Sequence, residues 1–178
     1  MSVARRLVAG VLAGAVGTAA MDYLLYRRYR SGGGTDSFWP WESAAGVGSW
    51  QDASAPGQVG QKVERAVMGR PPPDDWARAT TNAVHSATGI GWGLQYGVLA
   101  GRTSRHRWLP AAALGPVAWL SSYVILPLAK VYKPIWDYDA RTLGDDLSAH
   151  LVYGAATAAA FAVLDRGRAR PIHRAGGS

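Results

Sequence analysis

Four stretches of the chain run almost free of charge, each bounded by charged or turn-forming residues. Residues 7–26, LVAGVLAGAVGTAAMDYLLY, contain Asp22 as the one ionised side chain. The others are 79–101, ATTNAVHSATGIGWGLQYGVLAG, then 108–129, WLPAAALGPVAWLSSYVILPLA, and 146–164, DLSAHLVYGAATAAAFAVL. A helix rises 1.5 Å per residue, so a hydrocarbon layer of about 30 Å needs about 20 residues. All four runs come close to that length. A soluble bundle would carry charges along one face of each helix, and these runs carry almost none. The pattern predicts an all-α integral membrane four-helix bundle in a single domain. Pro110, Pro116 and Pro127 interrupt the third run and are expected to kink it.

Residues 27–78 form a long connection, expected on the outer side. Its first part, SGGGTDSFWPWESAAGVGSW, reads as irregular, with tryptophans that should rest on protein or lipid. Its second part predicts a short amphipathic helix over 55–69. Ser54 suits the cap, Pro56 the first turn, and Gly69 before Pro71 the stop. Val59, Val63, Ala66 and Val67 share one face, as for a helix on a membrane surface or bundle rim; a lid over the bundle is the alternative. At the fourth run, TLGD has capping-box spacing, so Asp145 is expected to cap that helix.

Composition modifies this picture little. Of 178 residues, only 17% are charged, which fits the membrane reading. A mean hydropathy of −0.05 conceals strong segregation between runs and connections. The formal net charge of +7 could point to nucleic acid, but the basic residues flank apolar runs rather than clustering, so no nucleic-acid partner is expected. The chain has no cysteine, which excludes disulfides, thiolate metal sites and cysteine nucleophiles.

Four spans put both termini and the 102–107 connection on one side. Lys and Arg nearly tie between the sides, but many on the other side lie in the long 27–78 loop, which weighs less in orientation. The termini, including the basic tail 166–178, are therefore placed in the cytoplasm, against the contrary signal of Arg27, Arg28 and Arg30. Arg5, Arg6 and the small residues Thr18, Ala19 and Ala20 would also suit a cleaved signal peptide. The apolar stretch continues through Leu25 into those arginines, so a retained anchor is expected. Tyr26, Tyr29, Trp76, Tyr132, Trp136 and Tyr138 fall near the outer helix ends, as an interfacial belt would.

Small and polar residues form stripes. Gly10 and Gly14 are one turn apart, as are Gly89, Gly93 and Gly97; such positions let helix backbones approach closely. They can serve packing within the bundle or a homodimer face. Asp22, Asn82, His85, Asp146 and His150 all fall near the outer ends of their runs. Asp146, His150, Tyr153, Gly154 and Thr157 make one inward stripe, expected to face His85 and Asp22. An unpaired polar group in lipid is costly, so these stripes should meet. Such a meeting could bind a divalent metal through His85, His150, Asp22 and Asp146, relay protons, or only join helices. No recognised cofactor, phosphate or catalytic motif is present.

The segments PPPDDWARATTN, NAVHSATGIGWGLQYG and LPAAALGPVAWLSSYVILPLAKVYKPIWDYDARTLGDDLSAHLVYG also carry a family resemblance. The strongest elements are His85 with Gly89, the proline-bounded third run, and His150 with Tyr153 and Gly154. They resemble a set of actinobacterial membrane proteins, similar more distantly to the YagU-like bacterial inner-membrane family. The resemblance implies a multi-pass inner-membrane protein and supplies no catalytic residues. The expected function is non-enzymatic: small-solute or ion movement, or a subunit of a membrane assembly. The alternative is a membrane metalloenzyme or redox protein using the His/Asp residues. Expected partners are the lipid bilayer and either a membrane protein or a second copy of the chain.

Overall fold

The computed structural model describes residues 2–102 and 108–166. The basic tail beyond 166 and the 103–107 connection lie outside the described residues. Among the described residues six α-helices follow in order: α1 (Val3–Ser31), α2 (Phe38–Glu42), α3 (Ala55–Met68), α4 (Ala77–Arg102), α5 (Trp108–Leu128) and α6 (Ala140–Arg166). Among the described residues there is no strand. α1, α5 and α6 are long and apolar enough to cross a membrane. α4 has the length, but Thr80, Thr81, Asn82, His85, Ser86, Thr88 and Gln95 make it more polar.

The long helices contact one another in the order α4, α1, α6, α5, with a lighter contact between α5 and α4. Glycine decides the closest of these contacts. A Cβ on Gly10 would lie 2.6 Å from the Gly93 carbonyl oxygen, and one on Gly14 would lie 2.7 Å from that of Gly89. Gly97 sits equally close to the Arg6 carbonyl, at 2.6 Å. The two glycine stripes are thus used against each other inside the chain, in antiparallel register. Between α5 and α6, Gly115 and Gly154 do the same, each leaving a Cβ only 2.6 Å from the other helix's backbone. Gly17 admits Thr157 and Tyr153 of α6 against α1.

Around these seams lies a core of Ala9, Ala13, Tyr96, Ala100, Leu114, Tyr153 and Phe161. Tyr96 and Phe161 meet edge to face at 5.4 Å, a favoured aromatic geometry. The outward faces are apolar too. Val8, Leu12 and Val16 of α1, Val117, Leu120, Val124 and Ile125 of α5, and Leu151 and Val163 of α6 are all exposed. A water-soluble bundle would place polar residues there.

Several local expectations are revised. α6 starts at Ala140, and the Asp139 carboxylate caps it by accepting the Thr142 amide (2.9 Å) and hydroxyl (2.7 Å). Asp145 therefore sits inside the helix rather than at its cap. The Thr142 amide holds the Asp139 carboxyl below its ordinary range. α5 holds Pro116 and Pro127 within one continuous helix, which a kink at either would leave continuous. In α3, Ser54 stands at the N-cap without a side-chain bond, and Gly69 ends the helix with φ +67°, a left-handed stop that favours glycine. α3 docks on the start of α4 through Gly57 and Gly60, which accommodate Thr81 and Thr80. Its valine stripe is not the docked face: Val63 and Val67 are exposed.

The long connection is structured. Trp50 is buried with Ala53 and Ala77, and its indole N–H donates to the Pro72 and Pro73 carbonyls at 3.1 and 3.0 Å. Phe38 and Trp41 of α2 pack on Tyr26 near the end of α1, with ring centroids 5.2 and 5.5 Å apart.

Candidate functional site

Asp22 is the only ionised residue in the apolar body of α1, and it is 3% exposed. A carboxylate so placed needs a partner, because burying an isolated charge is prohibitive. His85, on the first half of α4, supplies it. Its Nε2 lies 3.0 and 3.1 Å from the two Asp22 oxygens. The glycine seam brings the helices together here: Gly10 and Gly14 set α1 against Gly93 and Gly89, and the same antiparallel course carries Asp22, two turns beyond Gly14, to His85, one turn before Gly89.

Asn82 lies one turn before His85 and serves a different contact. Its amide donates to the Ser43 carbonyl at 3.0 Å, and Arg78 adds bonds to the Ser43 carbonyl and hydroxyl at 2.9 and 3.0 Å. These three bonds hold the end of α2 over the start of α4. Glu42, one residue before Ser43, is thereby held near Asp22 and His85. Burial pushes the Glu42 carboxyl above its ordinary range, the nearby Asp22 carboxylate adds to this, and His85 opposes it.

Asp146 and His150 form a second pair, on α6. His150 Nδ1 lies 3.0 Å from the Asp146 carbonyl oxygen and 3.5 Å from its carboxylate. Around Asp146 stand Tyr123 of α5 and Tyr132 of the connection, and Tyr138 completes a cluster with ring centroids 5.4–6.1 Å apart. Burial, then the Asp146 charge, raises the Tyr132 hydroxyl above its ordinary value. Arg28 of α1 reaches this region by donating to the Asp145 carbonyl and the Ser148 hydroxyl, both at 2.7 Å.

Among the described residues, no hydrogen bond or ion pair joins the Asp22–His85 pair to the Asp146–His150 pair. The sequence stripe that carries Asp146 and His150 does reach α4, but through Tyr153, whose hydroxyl donates to the Gly89 carbonyl at 2.6 Å. Among the described residues, no group of three or more His, Asp or Glu side chains could hold a metal ion. What the first pair can do is hold and exchange a proton, since imidazole titrates near neutrality and a carboxylate beside it accepts its N–H.

Of the expected belt, Trp76 and Trp136 are exposed, joined by Trp39. Tyr26 and Tyr29 instead carry α2, and Tyr132 and Tyr138 pack on Tyr123. Glu42 escaped the sequence reading altogether. The signal available was a lone acid directly after the aromatic run FWPW, followed by a serine; nothing in it specifies which helix that acid reaches. Searches of protein families, curated proteins and solved structures found no match to this chain.

Proposed function

We propose that this chain is a four-span protein of the bacterial inner membrane that moves protons or small ions through a site built on Asp22 and His85. The single observation behind this reading is the ionisable pair, closed at 3.0 Å between α1 and α4, in a chain whose outward faces are apolar. Ionisable groups at membrane depth are costly and concentrate where charge is bound or passed. The reading is non-enzymatic, places both termini in the cytoplasm, and includes the YagU-like kinship.

α4 is the fourth span in this reading. Two of its exposed polar side chains turn back onto their own helix, Thr88 to the Val84 carbonyl at 2.7 Å and Gln95 to that of Gly91 at 3.4 Å. Such bonds lower the cost of facing lipid. Trp39, Trp76 and Trp136, exposed near the loop-bearing end, suit a headgroup layer.

The absence of cysteine makes topology directly testable. Single Ser2→Cys and Ser178→Cys variants, treated with a membrane-impermeant maleimide in intact cells and in inverted vesicles, should label from the same side, the cytoplasmic one. Labelling from opposite faces would leave α4 outside the membrane. In liposomes carrying a pH gradient or a K⁺ gradient, wild type should dissipate the gradient at least tenfold faster than Asp22→Asn. Equal rates in protein-free, wild-type and variant liposomes would refute the transport reading.

A further inference from the structure

α3 meets α4 at one level only. A Cβ on Gly57 would collide with Thr81 and one on Gly60 with Thr80, and the Glu64 carboxylate accepts the Thr80 hydroxyl at 2.6 Å. Gly57 and Glu64 are two turns apart, about 10 Å along α3. Thr80 and Thr81 are neighbours in α4. α3 therefore crosses α4 steeply instead of running beside it. Val67 fits the same course. It stands in line with Gly60, two turns further on, and is 81% exposed because α3 has by then passed α4. The crossing lies at the start of α4. The 26 residues of that helix make about 39 Å, more than the about 30 Å of a hydrocarbon core. With α4 upright in a bilayer, residues 77–81 stand at headgroup depth, and a helix crossing there lies along the surface.

The two flanks of α3 differ in depth and in charge. Gly60 stands on the edge of the docked face that reaches deeper: its Cβ would also lie 3.1 Å from Val84, one turn further into α4 than Thr80. Val63 and Val67 continue that edge, three and seven residues on, and both are exposed. Lys62 and Arg65 leave from the opposite side and are exposed too. Among the described residues neither side chain has a hydrogen-bond or ion-pair partner. Glu64 is the one acid of the helix. It is turned inward onto Thr80 with its second oxygen buried, so the charge that α3 presents outward is entirely positive.

We propose, resting on the reading of α4 as a span, that α3 is a lipid-binding helix. Val63 and Val67 insert at the acyl boundary of the leaflet at the loop-bearing end, and Lys62 and Arg65 bind the phosphates of anionic phospholipid. A helix lying in the interface gains from burial of its apolar flank and from attraction of its cations to anionic headgroups. The long stems of Lys62 and Arg65 let their charges bend back to the phosphate layer while the valines stay beneath it. The glycine contacts leave α3 docked laterally on α4, so its valine flank is free to meet lipid from above. Lipid is the occupant because that flank points along α4 toward the bilayer, where acyl chains already surround the exposed apolar faces of α1, α5 and α6.

Depth-resolved fluorescence quenching of the full chain tests this. Single Val63→Cys, Val67→Cys and Lys62→Cys variants carry a small fluorophore in nanodiscs of phosphatidylcholine and phosphatidylglycerol. Lipid brominated on its acyl chains should quench the labels at 63 and 67, and aqueous iodide should not reach them. The label at 62 should behave in the reverse way. With bromine confined to one lipid, brominated phosphatidylglycerol should quench the label at 67 about twofold or more over brominated phosphatidylcholine. Adding Lys62→Gln and Arg65→Gln should abolish that preference and leave the depth unchanged. Iodide that reaches 63 and 67 as readily as 62 overturns the proposal, and so does equal quenching by the two lipids. Labels shielded from both bromine and iodide also overturn it, since they mark a face covered by protein, a second copy included. The terminal labelling and the flux assay separate these outcomes from the wider reading. Iodide-accessible valines in a protein whose termini label from one side remove the lipid contact and leave the four spans standing. Lipid-quenched valines without gradient dissipation support the contact and remove only transport. Termini that label from opposite faces remove α4 as a span, and the lipid contact of α3 falls with it.

Discussion

Gly93→Ala is expected to lower stability by about 3 kcal/mol or more. Its new Cβ would fall 2.5 Å from the Gly10 carbonyl oxygen and 2.6 Å from the Gly14 amide nitrogen, and closer still to the Gly14 Cα. All three are backbone atoms of α1, so no side chain can rotate away. The helices must separate, and the Asp22–His85 contact and the Tyr153 bond to Gly89 lie along the same seam. Gly91→Ala is the matched control. It stands two residues away on the same helix with nothing within 4 Å of its would-be Cβ. There alanine should be neutral or stabilising by up to about 1 kcal/mol, because it removes the helix penalty of glycine. Thermal unfolding of the two variants in detergent measures the difference. Equal behaviour would mean that the α1–α4 seam is not a close backbone contact.

His85→Ala should cost about 3 kcal/mol, for a different reason. It leaves the Asp22 carboxylate, 4% exposed at its side chain, without the imidazole that accompanies it. The change is expected to be worse than loss of one hydrogen bond, since it leaves a buried carboxylate without its N–H donor. Asp22→Asn removes the charge, so adding it to His85→Ala should recover part of the loss. A double-mutant cycle read by thermal unfolding should give a coupling of about 1 kcal/mol or more. Additive single effects would show that the two residues do not act as a pair.

How much of this was legible beforehand varies from residue to residue. The glycine stripes were visible as spacings of four, and their partners were not. Gly10 and Gly14 could have served a second copy of the chain, and the fold spends them on Gly89, Gly93 and Gly97. Asp22 and His85 were legible as groups of similar depth, because depth follows from position along an uncharged run. Asp146 and His150 were legible in the same way, yet they interact with each other. Their spacing of four places both on one turn of α6, and a contact within a helix forms without any other helix being correctly placed.

The misplaced cap on α6 has a similar local origin. Asp139 and Asp145 both stand three positions from Thr142, and either spacing can satisfy an N-terminal amide. What selects Asp139 is that the chain leaves the turn at Ile135–Asp137 only two residues earlier, so the helix begins as soon as it can. In α3 the valine stripe left a surface helix and a rim contact both open, and the fold docks the helix through Gly57 and Gly60, because a face without side chains lets α3 come close to Thr80 and Thr81.

The sequence by itself determined where the long helices and α3 run, which end of each long helix carries the polar residues, and which positions lack side chains. These follow from properties of single residues and from a period of 3.6 along one helix. The tertiary structure alone decided which polar groups meet. Asp22 finds His85 because α1 and α4 share a glycine seam, and Glu42 is held near both because Arg78 and Asn82 hold Ser43. A meeting between residues 22, 42 and 85 depends on the relative register of three elements. That register is set by backbone approach and by the path of a long connection, neither of which leaves a periodic trace in the chain.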